Sequence, residues 1–212
     1  MTVDAYLAGV TARLAEIDLD EAVDARDSLR HATGATATDL ERLRAVYPAR
    51  PDALVELLSR IDGTYWRRYG DHEVSVLILG SDVGDYPYYL QSTAQIVDAA
   101  DNGYSIRDVY GDQLDEWLPE GRGADPRHGY RDDRIDPDLP MGRRLHFADC
   151  MNNGGTSQLY IDFDPLPGGT VGQVVRYLHD PDSYLVIADS FEAYLRAQID
   201  GDFAFLGYYA EE

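Results

Sequence analysis

Apolar positions change period along this chain. Val3, Tyr6, Leu7, Val10, Leu14 and Ile17 recur at three- and four-residue intervals, the spacing that gathers side chains on one face of a helix. A second helical stretch runs from Ala22 to His31 and stops at Thr33-Gly34. Small residues from Thr33 to Thr38 read as a linker. Thr38 and Glu41 then have the form of a capping box, followed by a stripe of Leu40, Leu43 and Val46 that ends at Pro48. Another helix starts near Pro51, with Leu54, Leu57, Leu58 and Ile61 facing the core and Gly63 past its end.

Further along, β-branched and aromatic runs take over. Val74 to Leu79 is an apolar strand closed by Gly80-Ser81-Asp82; Tyr88 to Leu90 is a short strand, and Ser92 to Ala100 a helix. Residues 101–140 are rich in Asp, Gly and Pro and have weak periodicity, which reads as a long irregular insertion with one helical turn around Leu114 to Leu118. Arg144 to Asp149 is a strand, and Asn153-Gly154 is a hairpin turn leading to a strand at Leu159 to Phe163. A stop at Asp164-Pro165-Leu166-Pro167-Gly168-Gly169 separates it from strands at Thr170 to Leu178 and Tyr184 to Ala188. Asp189 or Ser190 caps a closing helix with Phe191, Tyr194 and Leu195 on one face. Helices first, then mostly strands, then a helix predicts an α+β fold: a mainly antiparallel twisted sheet with helices packed on it, behind an N-terminal helical extension.

Asp162-Phe163-Asp164-Pro165, Gly168-Gly169-Thr170-Val171-Gly172-Gln173-Val174 and Val186-Ile187-Ala188-Asp189-Ser190-Phe191 together resemble the C-terminal signature of the SUKH superfamily. That group includes the fungal Smi/Knr cell-wall regulator and many bacterial toxin-immunity proteins. Thr38 to Trp66, with its Asp62-Gly63 turn, resembles the family's opening helical unit. On this resemblance residues 1–33 are an N-terminal helical extension, 38–201 a SUKH-like domain carrying the acidic insertion around 101–140, and 202–212 a C-terminal tail. The resemblance implies a non-enzymatic protein-binding module. Its motif positions here are Gly63, Asp162, Asp164, Pro165, Gly169, Gly172, Gln173, Val174, Ala188, Ser190 and Phe191.

Charge sharpens the expectation. The 39 acidic residues against 18 basic ones give a net charge of −21, and every basic residue is Arg. Such a surface repels phosphate backbones, which argues against direct nucleic-acid binding, and it steers toward a basic protein partner as well as favouring solubility. The single cysteine, Cys150, allows no internal disulfide and suits a reducing cytoplasm. No run approaches membrane-spanning length, and the acidic N-terminus lacks a signal-peptide pattern, so a cytoplasmic protein without membrane association is expected.

Few constellations suggest chemistry. Asp162 and Asp164 sit two apart, the spacing that puts strand carboxylates on one face where a divalent cation can be shared; with Asp149 they are the candidate acids of a minor, enzymatic reading. Turn and strand-end carboxylates are the default reading of the pair. His146 and Cys150 have an even spacing that also places them on one strand face, but zinc needs four ligands, and His128 and His179 are remote in sequence. Ser190 has a helix-cap context rather than a nucleophile elbow, and Gly168 to Gly172 lacks the Lys of a P-loop. No cofactor is expected. Tyr86, Tyr88 and Tyr89, near Tyr65 and Trp66, are candidate partner-binding residues because tyrosine is enriched at interfaces, although about half should be core. Asp132, Asp133, Asp136, Asp138 and Asp149 are candidate rim acids. The leading expectation is an immunity-type protein that binds and neutralises a basic toxin of the nuclease kind. The alternative is a Smi/Knr-like scaffold in cell-wall or signalling control.

Overall fold

A computed structural model of the chain describes residues 2–84, 86–117, 129–150, 157–179 and 181–210. It opens with four helices, α1 (Thr2–Glu16), α2 (Asp20–Leu29), α3 (Ala37–Val46) and α4 (Asp52–Arg60). Short strands β1 (Arg67–Tyr69), β2 (His72–Val74), β3 (Leu77–Leu79) and β4 (Tyr88–Leu90) follow, then α5 (Thr93–Ala99) and α6 (Ile106–Tyr110). The rest comprises β5 (Tyr130–Arg131), β6 (Leu145–Cys150), β7 (Ser157–Asp162), β8 (Gln173–Leu178), β9 (Ser183–Ala188) and α7 (Phe191–Asp200). Strands β3-β4-β6-β7-β8-β9-β5 form one sheet in that order, antiparallel except for the β5–β9 pair. The class is therefore the expected one, α+β with N-terminal helices.

The two faces of this sheet have different covers. Leu145, Phe147, Leu159, Ile161 and Val174 point to the inner face, where α7 supplies Phe191, Tyr194 and Leu195, and α1 supplies Val3, Tyr6, Val10 and Leu14, all buried in one cluster. The Tyr6 hydroxyl, fully buried, donates to the Ile78 carbonyl at 2.8 Å, tying α1 to β3. Residues 203–209, expected to belong to a tail, add Phe203, Phe205, Leu206 and Tyr209 to the same core, and the Tyr209 hydroxyl accepts from the Leu77 amide.

The insertion covers the outer face over β7, β8 and β9. Ile106, Leu114, Ile135 and Met141 bury Tyr160, Val175 and Tyr184, with Tyr110, Trp117, Tyr177 and Val186 packed around them. Residues 106–116 form α6 and a 3₁₀ turn (Gly111–Glu116) rather than an irregular loop, because Ser105 caps α6 by accepting from the Asp108 amide while Asp108 returns the bond. Leu118 and the hairpin turn Asn153-Gly154 lie outside the described residues.

Three local expectations are corrected. The cap of α3 is Thr36, whose side chain accepts from the Asp39 amide, two residues before the Thr38–Glu41 box. Both pairs have capping spacing; the chain reaches helical geometry at Ala37, which decides between them. Val74 to Leu79 is not one strand. Arg67 to Val74 folds as the separate β1–β2 hairpin, Tyr69 paired with His72 across a Gly70-Asp71 turn, and β3 starts afresh at Leu77. His146 and Cys150 do not share a face. A register shift between His146 and Ala148 interrupts the alternation, so His146 stacks on Tyr160 outside while Cys150 enters the core.

Candidate partner-binding face

The signature residues converge on a buried corner. Asp162 closes β7 with no exposed surface, and its Oδ1 lies 3.7 Å from Nε of the equally buried Arg144, within ion-pair range but too far for a hydrogen bond. The Gln173 side-chain amide donates to Asp162 Oδ2 at 3.2 Å, and the Gly172 amide donates to the Asp162 carbonyl at 2.7 Å. Arg144 donates onward to the carbonyls of Asp136 (2.6 Å) and Leu139 (3.3 Å), which anchors the insertion to the sheet. Burial pulls the Arg144 guanidinium below its ordinary pKa, opposed by the carboxylates of Asp162 and Asp136. Gly169 lets the loop close: a Cβ there would meet the Pro165 ring carbon at 2.6 Å.

Asp164 points elsewhere, to Arg143 at 2.9 Å on the surface. The two carboxylates thus serve two different arginines. Among the described residues, no group of three or more His, Cys, Asp or Glu is arranged to hold a metal ion. Val174 is core, Ala188 pairs with it across β8–β9, Ser190 caps α7 by accepting from the Ala193 amide, and Phe191 stacks edge-on against Phe147. Gly63, at φ +91°, sits where a Cβ would meet the Ser92 amide nitrogen at 2.6 Å, and neighbouring Asp62 accepts from Thr93 and Arg67. Apart from Asp164, these positions serve the scaffold.

The outer face offers different chemistry. Register places Tyr89 opposite Asp149, Asp149 opposite Gln158, Gln158 opposite Tyr177 and Tyr177 opposite Tyr184. A single cross-strand row therefore runs over β4, β6, β7, β8 and β9 on one side of the sheet. At the β9 end it disappears under Tyr110 and Trp117, whose rings lie 4.6 Å apart. Tyr177 is tied there through Tyr110 (3.2 Å) and Asp182 (3.0 Å).

The β4 end is open. Tyr65, Trp66 and Tyr89 form a ring cluster with centroid separations of 5.2, 5.6 and 6.2 Å, and Trp66 is 53% exposed. Trp66 reaches this position at φ +48°, a left-handed backbone that a bulky residue adopts at a cost of roughly 1–3 kcal/mol. Burial raises the pKa of the Tyr65 and Tyr89 hydroxyls, so both stay protonated donors at neutral pH.

Asp149 lies beside this cluster, mostly buried. The side-chain contacts of its Oδ2 are long, to Gln91 Nε2 (3.4 Å), Gln158 Nε2 (3.5 Å) and His146 Nε2 (3.5 Å), and the Cys150 backbone amide also favours the charged carboxylate. Its Oδ1, and Oε1 of the equally buried Gln91, have no hydrogen-bond partner. Desolvation pushes the Asp149 carboxyl up to about 6, and desolvation likewise depresses His146 to about 4. At neutral pH the carboxylate is charged and the imidazole beside it is not.

The other anticipated binding residues are dispersed. Tyr88 is wholly buried, its hydroxyl 2.7 Å from Ser157, and Tyr86 packs against the core. Asp132 clamps Arg134, Asp136 accepts from the Asp138 amide, Asp138 pairs with Arg107, and Asp133 is exposed. Gln158, Tyr177 and Tyr184 were hidden in the sequence because only strand register unites them, and Gln91, just past β4, joins them through its contact with Asp149. Alternation within each strand was the available signal, but it says nothing about which residues face each other across strands.

The model of the SMI1 / KNR4 family (SUKH-1) matches residues 34–197. No curated protein matches the chain. No helix among the described residues is long and apolar enough to cross a membrane.

Proposed function

The chain belongs to the SMI1 / KNR4 family (SUKH-1), and from that premise we propose that it is a non-enzymatic, cytoplasmic protein-binding module of the immunity type. It binds a basic toxin, of the nuclease kind, and neutralises it by occluding the toxin's working surface. The observation that carries this reading is the contrast between the two sets of residues. Apart from surface Asp164, the family's signature side chains are consumed in holding the fold, while Tyr65, Trp66 and Tyr89 are grouped at the β4 end of the outer face. Amphipathic rings held rigidly at a surface make strong interface anchors, and a net charge of −21 accelerates encounter with a cationic protein.

The test is functional. Immobilised protein is used to capture partners from its own cells, the eluted species is identified, and its toxic or nucleolytic activity is titrated with fresh protein. A single basic partner inhibited at one-to-one stoichiometry supports the proposal. Several weak partners without inhibition would favour a regulatory scaffold of the Smi/Knr kind, and a partner that stays active when saturated would refute neutralisation.

A further inference from the structure

We propose that Asp149, flanked by Gln91 and Gln158 and bordered by Tyr65, Trp66 and Tyr89, is the receptor for an arginine side chain of the partner protein. This rests on the protein-binding reading above and names what that face recognises.

Acceptors outnumber well-placed donors around Asp149. Two acceptors, Asp149 Oδ1 and Gln91 Oε1, are buried without a donor, in residues 7% and 5% exposed. Such atoms forfeit their hydration and receive nothing in exchange. The local donors are already stretched: the contacts to Asp149 Oδ2 measure 3.4–3.5 Å. His146 does not compensate, since burial keeps it neutral and its Nε2 lies 2.9 Å from the Ala148 carbonyl. No other basic side chain among the described residues is within ion-pair distance of Asp149. Among the described residues the carboxylate's neighbours are uncharged, Tyr89 and Gln91 from the β4 side, Tyr65 beside them, and Gln158 and Tyr160 on β7, with Arg144 acting only on Tyr160 from beyond it. A ligand completing this site must bring donors, no acceptors and a positive charge.

The neighbouring rings narrow the choice to a guanidinium. A planar cation stacks on aromatic faces and forks toward a carboxylate at once, whereas a strongly hydrated ammonium does neither as well. Tyr89 is the cross-strand neighbour of Asp149, and Trp66 lies 5.6 Å from Tyr89, so ring faces and carboxylate adjoin. The Asp149 side chain keeps 11% of its surface open to solvent while its Oδ1 is sealed, so an arginine reaches that oxygen only as the neighbouring side chains give way. A partner's arginine entering there exchanges its water for the aromatic wall and supplies the missing counter-charge.

The probe is Nα-acetyl-arginine methylamide, compared with the lysine and the uncharged citrulline analogues and followed by the NMR signals of the Trp66 indole and the Asp149 amide. The arginine probe is expected to give saturable shifts at both signals, the lysine probe weaker ones, and citrulline none. Binding weakens about tenfold from pH 8 to pH 5 as the carboxyl, at about 6 in the free protein, takes up its proton. Asp149→Asn abolishes the shifts while its melting temperature stays equal to wild type or rises, and Trp66→Ala weakens them without unfolding. Equal shifts from arginine and citrulline, retained binding in Asp149→Asn, or a lower melting temperature for that variant would overturn the proposal; the last would make Asp149 a structural residue. Probe binding as expected, with a captured toxin whose affinity is indifferent to Asp149→Asn, would overturn the partner-protein source. A captured protein that is not inhibited, yet is lost with Asp149→Asn, would leave the arginine receptor standing and sink the immunity role instead.

Discussion

Two carboxylates separated by one residue carry opposite consequences. Asp162 is sealed beside Arg144, and removing one partner of a buried pair leaves an uncompensated charge, a loss of about 3–5 kcal/mol. Asp162→Ala is therefore expected to lower denaturation midpoints severely. Asp164→Ala, which breaks only the surface contact with Arg143, should cost less than about 1 kcal/mol. Equal, mild effects from both substitutions, seen in urea melts, would contradict the structural assignment of the signature. Asp149 and His146 also make a pH prediction. The Asp149 value of about 6 lies above that of an unfolded aspartate, so its contribution to stability is greatest at low pH and declines as pH rises through 6. The His146 value of about 4 lies below that of an unfolded histidine, so its contribution is full above about 6.5 and is lost as pH falls through 4. These slopes oppose each other between pH 4 and 6. Asp149→Asn removes one of them, so the variant's stability should fall by on the order of 2 kcal/mol more than wild type between pH 6.5 and 4. Parallel pH profiles would show that the two groups are not perturbed as described. None of this was readable in the chain itself. Asp162, Asp164 and Asp149 are chemically identical in sequence, and only burial and the choice of arginine separate them.

Segments differ in how openly the sequence declares them. Strands β6 to β9 and helices α1, α4, α5 and α7 were legible because one face of each is apolar and the other polar, with Ser92 and Ser190 marking two starts. The β1–β2 hairpin was hidden because Arg67-Arg68-Tyr69 and His72-Glu73 carry little apolar alternation, although the two-residue Gly70-Asp71 connection was a usable signal. The bulge that parts His146 from Cys150 leaves no sequence mark. The insertion concealed α6 for another reason: its apolar residues are spread through a polar stretch, and they become a core only when Ile106, Leu114, Ile135 and Met141 meet Tyr160 and Tyr184 from the sheet. The extension also proves to be more than an appendage in packing terms. Val3, Tyr6, Val10 and Leu14 are at most 2% exposed against the shared core, and at about 1.5–3 kcal/mol each their removal rivals the whole stability of an ordinary domain. Deleting residues 1–33 should consequently yield a chain without a cooperative melting transition. A truncated protein that melts sharply near the wild-type temperature would show the remainder to be self-sufficient.

Taken together, an acidic body, a sheet with an aromatic corner and a signature largely spent on folding fit the proposal that this protein acts by being bound. With no lysine and a charge of −21, its long-range field attracts cations, while on the proposed reading specificity comes from the corner where rings and a carboxylate without a cationic partner meet. These two contributions separate kinetically. The field governs association and is screened by salt within about 8–10 Å, whereas desolvated anchors govern dissociation. The most direct test is the rate of association and dissociation of the captured toxin with wild type and with the Trp66→Ala/Tyr89→Ala double variant, at low and high salt. The account predicts association that slows with salt equally for both proteins, and dissociation at least a hundredfold faster for the variant alone. Unchanged dissociation from the double variant would contradict the claim that this face holds the partner.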